Sequence, residues 1–256
     1  MRRAEQANYQ LESVDRMVAV LKALEMAPEQ NLEQVAKRAE LNESTALRYL
    51  LSLARYELVE RNPASGRFRL GLSLFRLGTK SIAHRDVVTA AMAVMDELLE
   101  RFGESVNLAI HQQGQVVLLR ALQSPAPTRK GAVPGDSDPW HATALGKALL
   151  AAMPDEEARA ILAAGPLRSY TPTTFTTEAD VLRDLQRTKS RGFSMDDEES
   201  VEGLRCVGVA IRDHDGVPRY ALSVSGPKSR MPYQRLEEIG VAMIPGAAQI
   251  SRALGG

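Results

Sequence analysis

Apolar residues recur at spacings of three and four through the first third of the chain, and capping residues punctuate them. Leu11, Val14, Val18, Leu21 and Leu24 predict an amphipathic first helix, a scaffold element, that stops near Ala27 and Pro28. Asn31 then caps a short second helix built on Leu32, Val35, Ala36 and Ala39. Asn42 caps a third, NESTALRYLLSLARYE, with Leu47, Leu50, Leu51 and Ala54 expected to face inward. Two short helices with a tight joint at Glu40 and Leu41 form a helix-turn-helix. Directly after it, LVERNPASGRFRLG alternates like two strands, Leu58 to Arg61 and Arg67 to Leu70. Asn62, Pro63, Ser65 and Gly66 supply the turn between them. A strand pair in that position is a wing.

Beyond the wing, Leu72, Phe75 and Leu77 open an apolar-periodic stretch to about Ala83, read as a linker helix, and a further helix runs from Val87 to Phe102. Strands and helices then mix. SVNLAIHQ and QVVLLRAL are strands joined at Gln113-Gly114. Helices are predicted over Thr143 to Met153, Asp155 to Ala163, Val181 to Arg191 and Pro232 to Ala253. Gly192 is a natural C-cap for the third of these. The expected class is α+β: a winged helix-turn-helix over 1–71, a linker helix over 72–84, and a body over 85–256 whose antiparallel sheet is covered by helices.

The hairpin CVGVAIRDHDGVPRYALSVSG sharpens the body. If Ile211 pairs with Tyr220 across the turn, Val207, Val209, Ile211, Tyr220, Leu222 and Val224 share one face. Cys206, Gly208, Ala210, Ala221, Ser223 and Ser225 then share the other. Small residues cannot fill space. They either leave a cavity floored by a thiol and two hydroxyls, suited to a small ligand, or allow a helix to pack closely. Near them, Pro139-Trp140-His141-Ala142 leads into the Thr143 helix, whose free N–H groups suit a carboxylate.

Charge changes the picture of the head. Lys plus Arg and Asp plus Glu both number 32, which by itself argues against phosphate binding. Yet Ser44 to Arg85 holds eight basic residues against Glu57 and Glu60 alone, an excess of six. The chain is a basic head on a mildly acidic body. On the outward face of the third helix, Ser44, Thr45, Arg48, Tyr49, Ser52 and Arg55 can reach phosphates and base edges of double-stranded operator DNA. Arg67 and Arg69 lie on the wing, placed to follow the backbone or enter the minor groove. No apolar run of about 18 residues occurs and MRRAEQANYQ is basic and polar, so the chain reads as cytoplasmic with no membrane partner. A single cysteine, Cys206, excludes an intrachain disulfide.

These residues together resemble the IclR family of bacterial transcriptional regulators, over Tyr9 to Leu254. The resemblance rests on LNESTALRYLLSLARYELVERNPASGRFRLG, HATALGKALLA and ALSVSGP, and on Gly192, Asp196, Glu199 and Cys206 followed by Val207, Gly208, Ile211 and Asp213. It implies a GAF-like effector domain, a homodimer or homotetramer, pseudo-palindromic operators, and control by a small metabolite, a carboxylate or aromatic or hydroxy acid. Repression is the more frequent outcome in relatives. Carried over by position, the effector contacts are Ala144, Leu145, Asp196, Leu204, Cys206, Ser223 and Ser225. Glu43 and Leu47 depart from a basic residue and a histidine in many relatives, so no operator sequence carries over.

Other readings use the same side chains. Cys206 as nucleophile with His141 as base would make an enzyme, but no orienting group or oxyanion hole has a local signature. A redox sensor needs a basic neighbour to activate the lone thiol. A metal would draw on His141, Asp196 and Cys206, or on His84 and His111, at no recognised ligand spacing. Asp196 and Asp197 also fit a solvated turn. The expectation is a regulator that is not an enzyme and holds no cofactor and no metal.

Overall fold

The structure, a computed structural model, describes residues 11–83, 86–126 and 132–255. His84 and Arg85, used above, lie outside them. Among the described residues no helix is long and apolar enough to cross a membrane. The chain divides into two compact units, Met1–His84 and Arg85–Gly256.

The first unit comprises α1 (Glu12–Glu25), α2 (Leu32–Arg38), α3 (Glu43–Ala54), β1 (Val59–Arg61), β2 (Phe68–Leu70) and α4 (Leu72–Ala83). Asn31 accepts from the Gln34 N–H while the Gln34 side chain accepts from the Asn31 N–H, a reciprocal cap on α2. Glu40, at φ 55°, makes the tight joint, and Asn42 accepts from the Thr45 N–H at 2.8 Å to start α3. Val20, Leu24, Val35, Leu50, Leu53, Val59 and Phe68 pack into one core. Gln30 is buried with them: its backbone exchanges two hydrogen bonds with Phe68, and its side chain donates to the Ala23 carbonyl. That bond ties the wing to the end of α1.

One inward assignment fails. Leu51 is exposed, and Ala46 and Leu53 fill the core beside Leu50 instead. On α1 only Val20, Ala23 and Leu24 are buried, while Leu11, Val14 and Val18 stay exposed. The apolar stripe of that helix is longer than the small core it meets.

The second unit contains α5 (Asp86–Phe102), β3 (Ser105–Gln112), β4 (Gln115–Leu122), β5 (Ser137–Asp138), α6 (Ala144–Ala152), α7 (Asp155–Ala163), α8 (Glu178–Arg191), β6 (Ser194–Asp197), β7 (Leu204–Arg212), β8 (Pro218–Pro227) and α9 (Tyr233–Ala253). Its sheet is antiparallel throughout, in the order β5-β4-β3-β8-β7-β6. Gln113 and Gly114, both at positive φ, turn β3 into β4. Gly192, at φ 85°, ends α8.

Ile211 does pair with Tyr220, so β7 and β8 separate large from small side chains as the alternation requires. Val207, Val209, Ile211, Leu222 and Val224 meet α5 and α9 through Val94, Met95, Leu236, Ile239 and Met243 in the main core. Each such side chain contributes roughly 1.5–3 kcal/mol by burial. The opposite face meets α6.

One charge cluster braces that second layer. Lys147 on α6 is 0% exposed, and its ammonium lies 2.5 Å from Glu199 Oε1 and 2.9 Å from Asp184 Oδ2 on α8. It therefore clamps α6, α8 and the β6–β7 connection together. Burial raises the Glu199 carboxyl to about 7, against the pull of Lys147. Between roughly pH 4.5 and 7 the folded chain thus holds a proton there that the unfolded chain releases, so stability falls as pH rises through that window. His111, lowered by burial, works in the opposite sense below its ordinary value.

Lys147→Met leaves two buried carboxylates without their cation, and urea unfolding at pH 7 is expected to show a loss of about 3–5 kcal/mol. Glu199→Gln mimics the protonated acid. Melting temperature measured from pH 5 to 8 should fall less in this variant than in the wild type, His111 being common to both. An equal fall in the two proteins removes Glu199 from the account.

Candidate functional site

Register lays out the small-residue face in rows. Asp196 pairs with Cys206, Cys206 with Ser225, and Ser225 with Ser105, across β6, β7, β8 and β3. In the next row stand Ser194, Gly208, Ser223 and Asn107. A third runs Ala210, Ala221, Ala109. Both readings of this face hold, on different rows. At Gly208, an added Cβ would lie 2.6 Å from the Ala144 carbonyl oxygen, so α6 packs directly on the strand there. The Ser194 hydroxyl secures this approach, 2.6 Å from the Ala144 carbonyl and 3.1 Å from that of Gly208. Beside α6, the Asp196–Cys206–Ser225 row borders open space.

That space is a cavity of about 420 Å³, inside the roughly 300–1,000 Å³ of small-molecule sites. Ala144 and Leu145 line one side of it, and Asp196, Leu204, Cys206, Ser223 and Ser225 line the rest. All seven positions carried over from the resemblance thus meet in one place. Thr143 caps α6, accepting from the Gly146 N–H at 3.1 Å, and Lys147 N–H reaches the Thr143 carbonyl. The N–H groups of Ala144 and Leu145 precede any intrahelical acceptor and sit at the cavity edge. Free N–H groups at a helix start suit an anion without a basic side chain.

Asp196 is strand, not solvated turn: it belongs to β6 and is 0% exposed. Its Oδ1 accepts from the Glu199 N–H at 2.7 Å, and its Oδ2 from the Ser200 hydroxyl at 2.5 Å. Burial pushes this carboxyl up, with the Ser200 hydroxyl pulling it back. Burial also drives the Cys206 thiol well above its usual range, so it stays protonated. Thiolate chemistry has no support here.

His141 does not serve the cavity. Its Nε2 lies 2.9 Å from the Arg168 carbonyl, and the cavity lining among the described residues contains no histidine. The Cys206–His141 pair required for an enzyme is therefore not assembled, nor is a His141, Asp196 and Cys206 metal set. Among the described residues only Asp213, His214 and Asp215 bring three possible ligands together. Asp213 there accepts from the Asp215 and Val217 N–H groups and pairs with Arg219. His111 stacks edge-on against Trp140.

Sequence reasoning missed Ser105, Asn107, Tyr170 and Ser200 in the lining. For Ser105 and Asn107 a signal existed: SVNLAI alternates small and large like β7 and β8, but only the β3–β8 register assigns its faces.

In the head, Ser44, Arg48 and Ser52 on α3 and Arg55 at its C-cap are exposed, while Thr45 and Tyr49 are half-buried. Tyr49 packs against the core and carries the Arg48 guanidinium at 6.0 Å from its ring. Arg67 is exposed beside the wing turn. Arg69 is engaged: its Nε and Nη2 donate to Glu60 at 3.0 and 2.8 Å. That pairing was not anticipated.

Comparison with known proteins agrees with this two-part organisation. Residues 13–63 match the IclR helix-turn-helix domain, and residues 79–252 match the bacterial transcriptional regulator IclR C-terminal domain. The chain is 34% identical over 245 residues to the HTH-type transcriptional repressor AllR of Escherichia coli K12, covering 95% of this chain and 90% of the relative. It is 34% identical over 242 residues to the acetate operon repressor of Salmonella typhimurium, at 92% and 88% coverage. The crystal structure of an IclR transcriptional regulator from Alicyclobacillus acidocaldarius superposes with a TM-score of 0.85, at 27% identity and 97% and 100% coverage. An IclR homologue of Microbacterium hydrocarbonoxydans complexed with 4-hydroxybenzoate shares the fold at a TM-score of 0.78, 24% identity, and 95% and 99% coverage. With both of its units matched in order, the chain belongs to the IclR family of bacterial transcriptional regulators.

Proposed function

We propose that the protein is a repressor whose operator affinity is set by a small acid bound between α6 and the small-residue face of the sheet. One observation carries this reading: the helix N-terminus, the Cys206 thiol and the Ser223 and Ser225 hydroxyls converge on a single cavity of ligand size. The α6 N–H groups receive the carboxylate, and the row of hydroxyls and thiol meets the rest of the molecule. 4-Hydroxybenzoate, the acid complexed with the Microbacterium homologue, is of this chemical class. The acid shifts the protein between DNA-bound and free states by its unequal affinity for the two, which is the only way a ligand moves such an equilibrium.

On DNA, α3 enters the major groove with Ser44 and Arg48 leading and Thr45 and Tyr49 beside them. Ser52 and Arg55 face phosphates, and Arg67 extends the wing along the backbone. Arg69 contributes less, because Glu60 already neutralises it. The exposed apolar residues of α1 and α4, Leu11, Val14 and Val18 with Leu72, Phe75 and Leu77, suit burial against a second copy. A dimer reads two half-sites.

Gel shifts on DNA upstream of the adjacent genes test the head. Arg48→Ala is expected to cost about 1–3 kcal/mol of specific binding, and unchanged affinity rules out base reading by Arg48. Arg67→Ala should weaken binding to all sequences and lower the salt slope by about one; Arg69→Ala should do so less. Replacing Ser223 and Ser225 together by Leu fills the cavity. That variant is expected to bind DNA normally and ignore the acid, and a retained response refutes the site.

A further inference from the structure

Among the described residues that line this cavity, Asn107 is the one with a fully buried side-chain polar atom that lacks a partner. It stands on β3 directly opposite Ser223 and is 4% exposed. Its amide nitrogen donates to Ser225 Oγ at 3.1 Å and to Ser223 Oγ at 3.4 Å. Its Oδ1, buried, has no hydrogen-bond partner. Asp196, the buried carboxylate of the lining, is answered: it accepts from two backbone N–H groups and the Ser200 hydroxyl. Because both serine oxygens accept from Asn107, their protons remain available to donate. Ser225 lies in contact with the Cys206 thiol, which leaves the Ser223 hydroxyl free to donate to a ligand. Asn107 and Ser223 both line the cavity that Ala144 and Leu145 also line, and together they offer it one unpaired acceptor, just beneath the surface, and one donor.

We infer that Asn107 is a specificity-determining residue that selects hydroxy acids. The carboxylate sits at the start of α6, and a hydroxyl elsewhere on the molecule donates to Asn107 Oδ1 while accepting from Ser223. This deepens the proposed effector reading and rests on it. The chemistry excludes the alternatives by their protons. A ketone at that position is an acceptor only and meets Oδ1 with a lone pair. A methyl or methylene dries Oδ1 without bonding it. A site built around a ligand hydroxyl discriminates strongly against the analogue that lacks it, because its own polar group is left unpaired.

The test is isothermal titration calorimetry of the full-length protein with two sets of acids: lactate, propionate and pyruvate, and 4-hydroxybenzoate with benzoate. At least one hydroxy acid should bind about tenfold more tightly than its partners in the same set. In Asn107→Leu that preference should shrink to about threefold or less. The affinity ratio is compared within each protein, so a partly unfolded sample lowers the stoichiometry and not the ratio. If Asn107→Leu does not fold, Asn107→Val, better suited to a strand, takes its place.

Equal binding of hydroxylated and unsubstituted acids, tighter binding of pyruvate than lactate, no binding of either hydroxy acid, or a preference that survives loss of Asn107 would overturn the inference. The effector reading fails separately, if the variant with Leu at both 223 and 225 binds the acids as the wild type does.

Discussion

The pairing of Ile211 with Tyr220 is the constraint from which the rest of the second unit follows. Strand side chains alternate, so a slip of one residue would send Val207, Val209 and Ile211 to the α6 side and Cys206, Gly208 and Ala210 into the main core. In the observed register, the large face supports α5 and α9. The small face both admits α6 at Gly208 and stops short of filling the space beside it. Close packing and open cavity are thus produced by one pattern, a residue or two apart along the same strands.

Electrostatics secures what the register lays out. Lys147 sits on α6 with Asp184 and Glu199 as partners, and the Glu199 backbone in turn donates to Asp196 at the cavity wall. A buried ion cluster adds little net stability over an apolar replacement of all its members. Its value here is geometric: it ties together the elements that bring a helix start and a carboxylate to the lining of one space. The cavity consequently has a built frame, and Asn107, Ser223 and Ser225 complete its polar lining.

Much of this was legible in the chain, for physical reasons that differ by element. The caps at Asn31 and Asn42, the Gln113-Gly114 turn and the end of α8 at Gly192 are local chemistry, and each stands where its residue type requires. The β7–β8 alternation also needs only neighbouring residues. Asn107 escaped notice because its face is defined by pairing with a strand more than a hundred residues away. Lys147 escaped because a lone lysine in ALGKALLAA reads as the solvated edge of a helix, and only its partners on α8 and beyond β6 reverse that. Leu51 was misassigned for the opposite reason: its periodicity is sound, but the core of the first unit is too small to cover every apolar side chain the helices offer, and the start of α1 stays exposed likewise.

The central claim is that the acid which shifts operator affinity occupies the floor formed by Cys206 and its neighbours. The protein has one cysteine, so that floor carries its own reporter. With 13C-labelled cysteine, the single Cys206 signal can be followed by NMR as the hydroxy acid is titrated. That signal should shift over the same concentration range in which operator binding changes. A signal left unmoved by an acid concentration that fully alters operator binding would contradict the account.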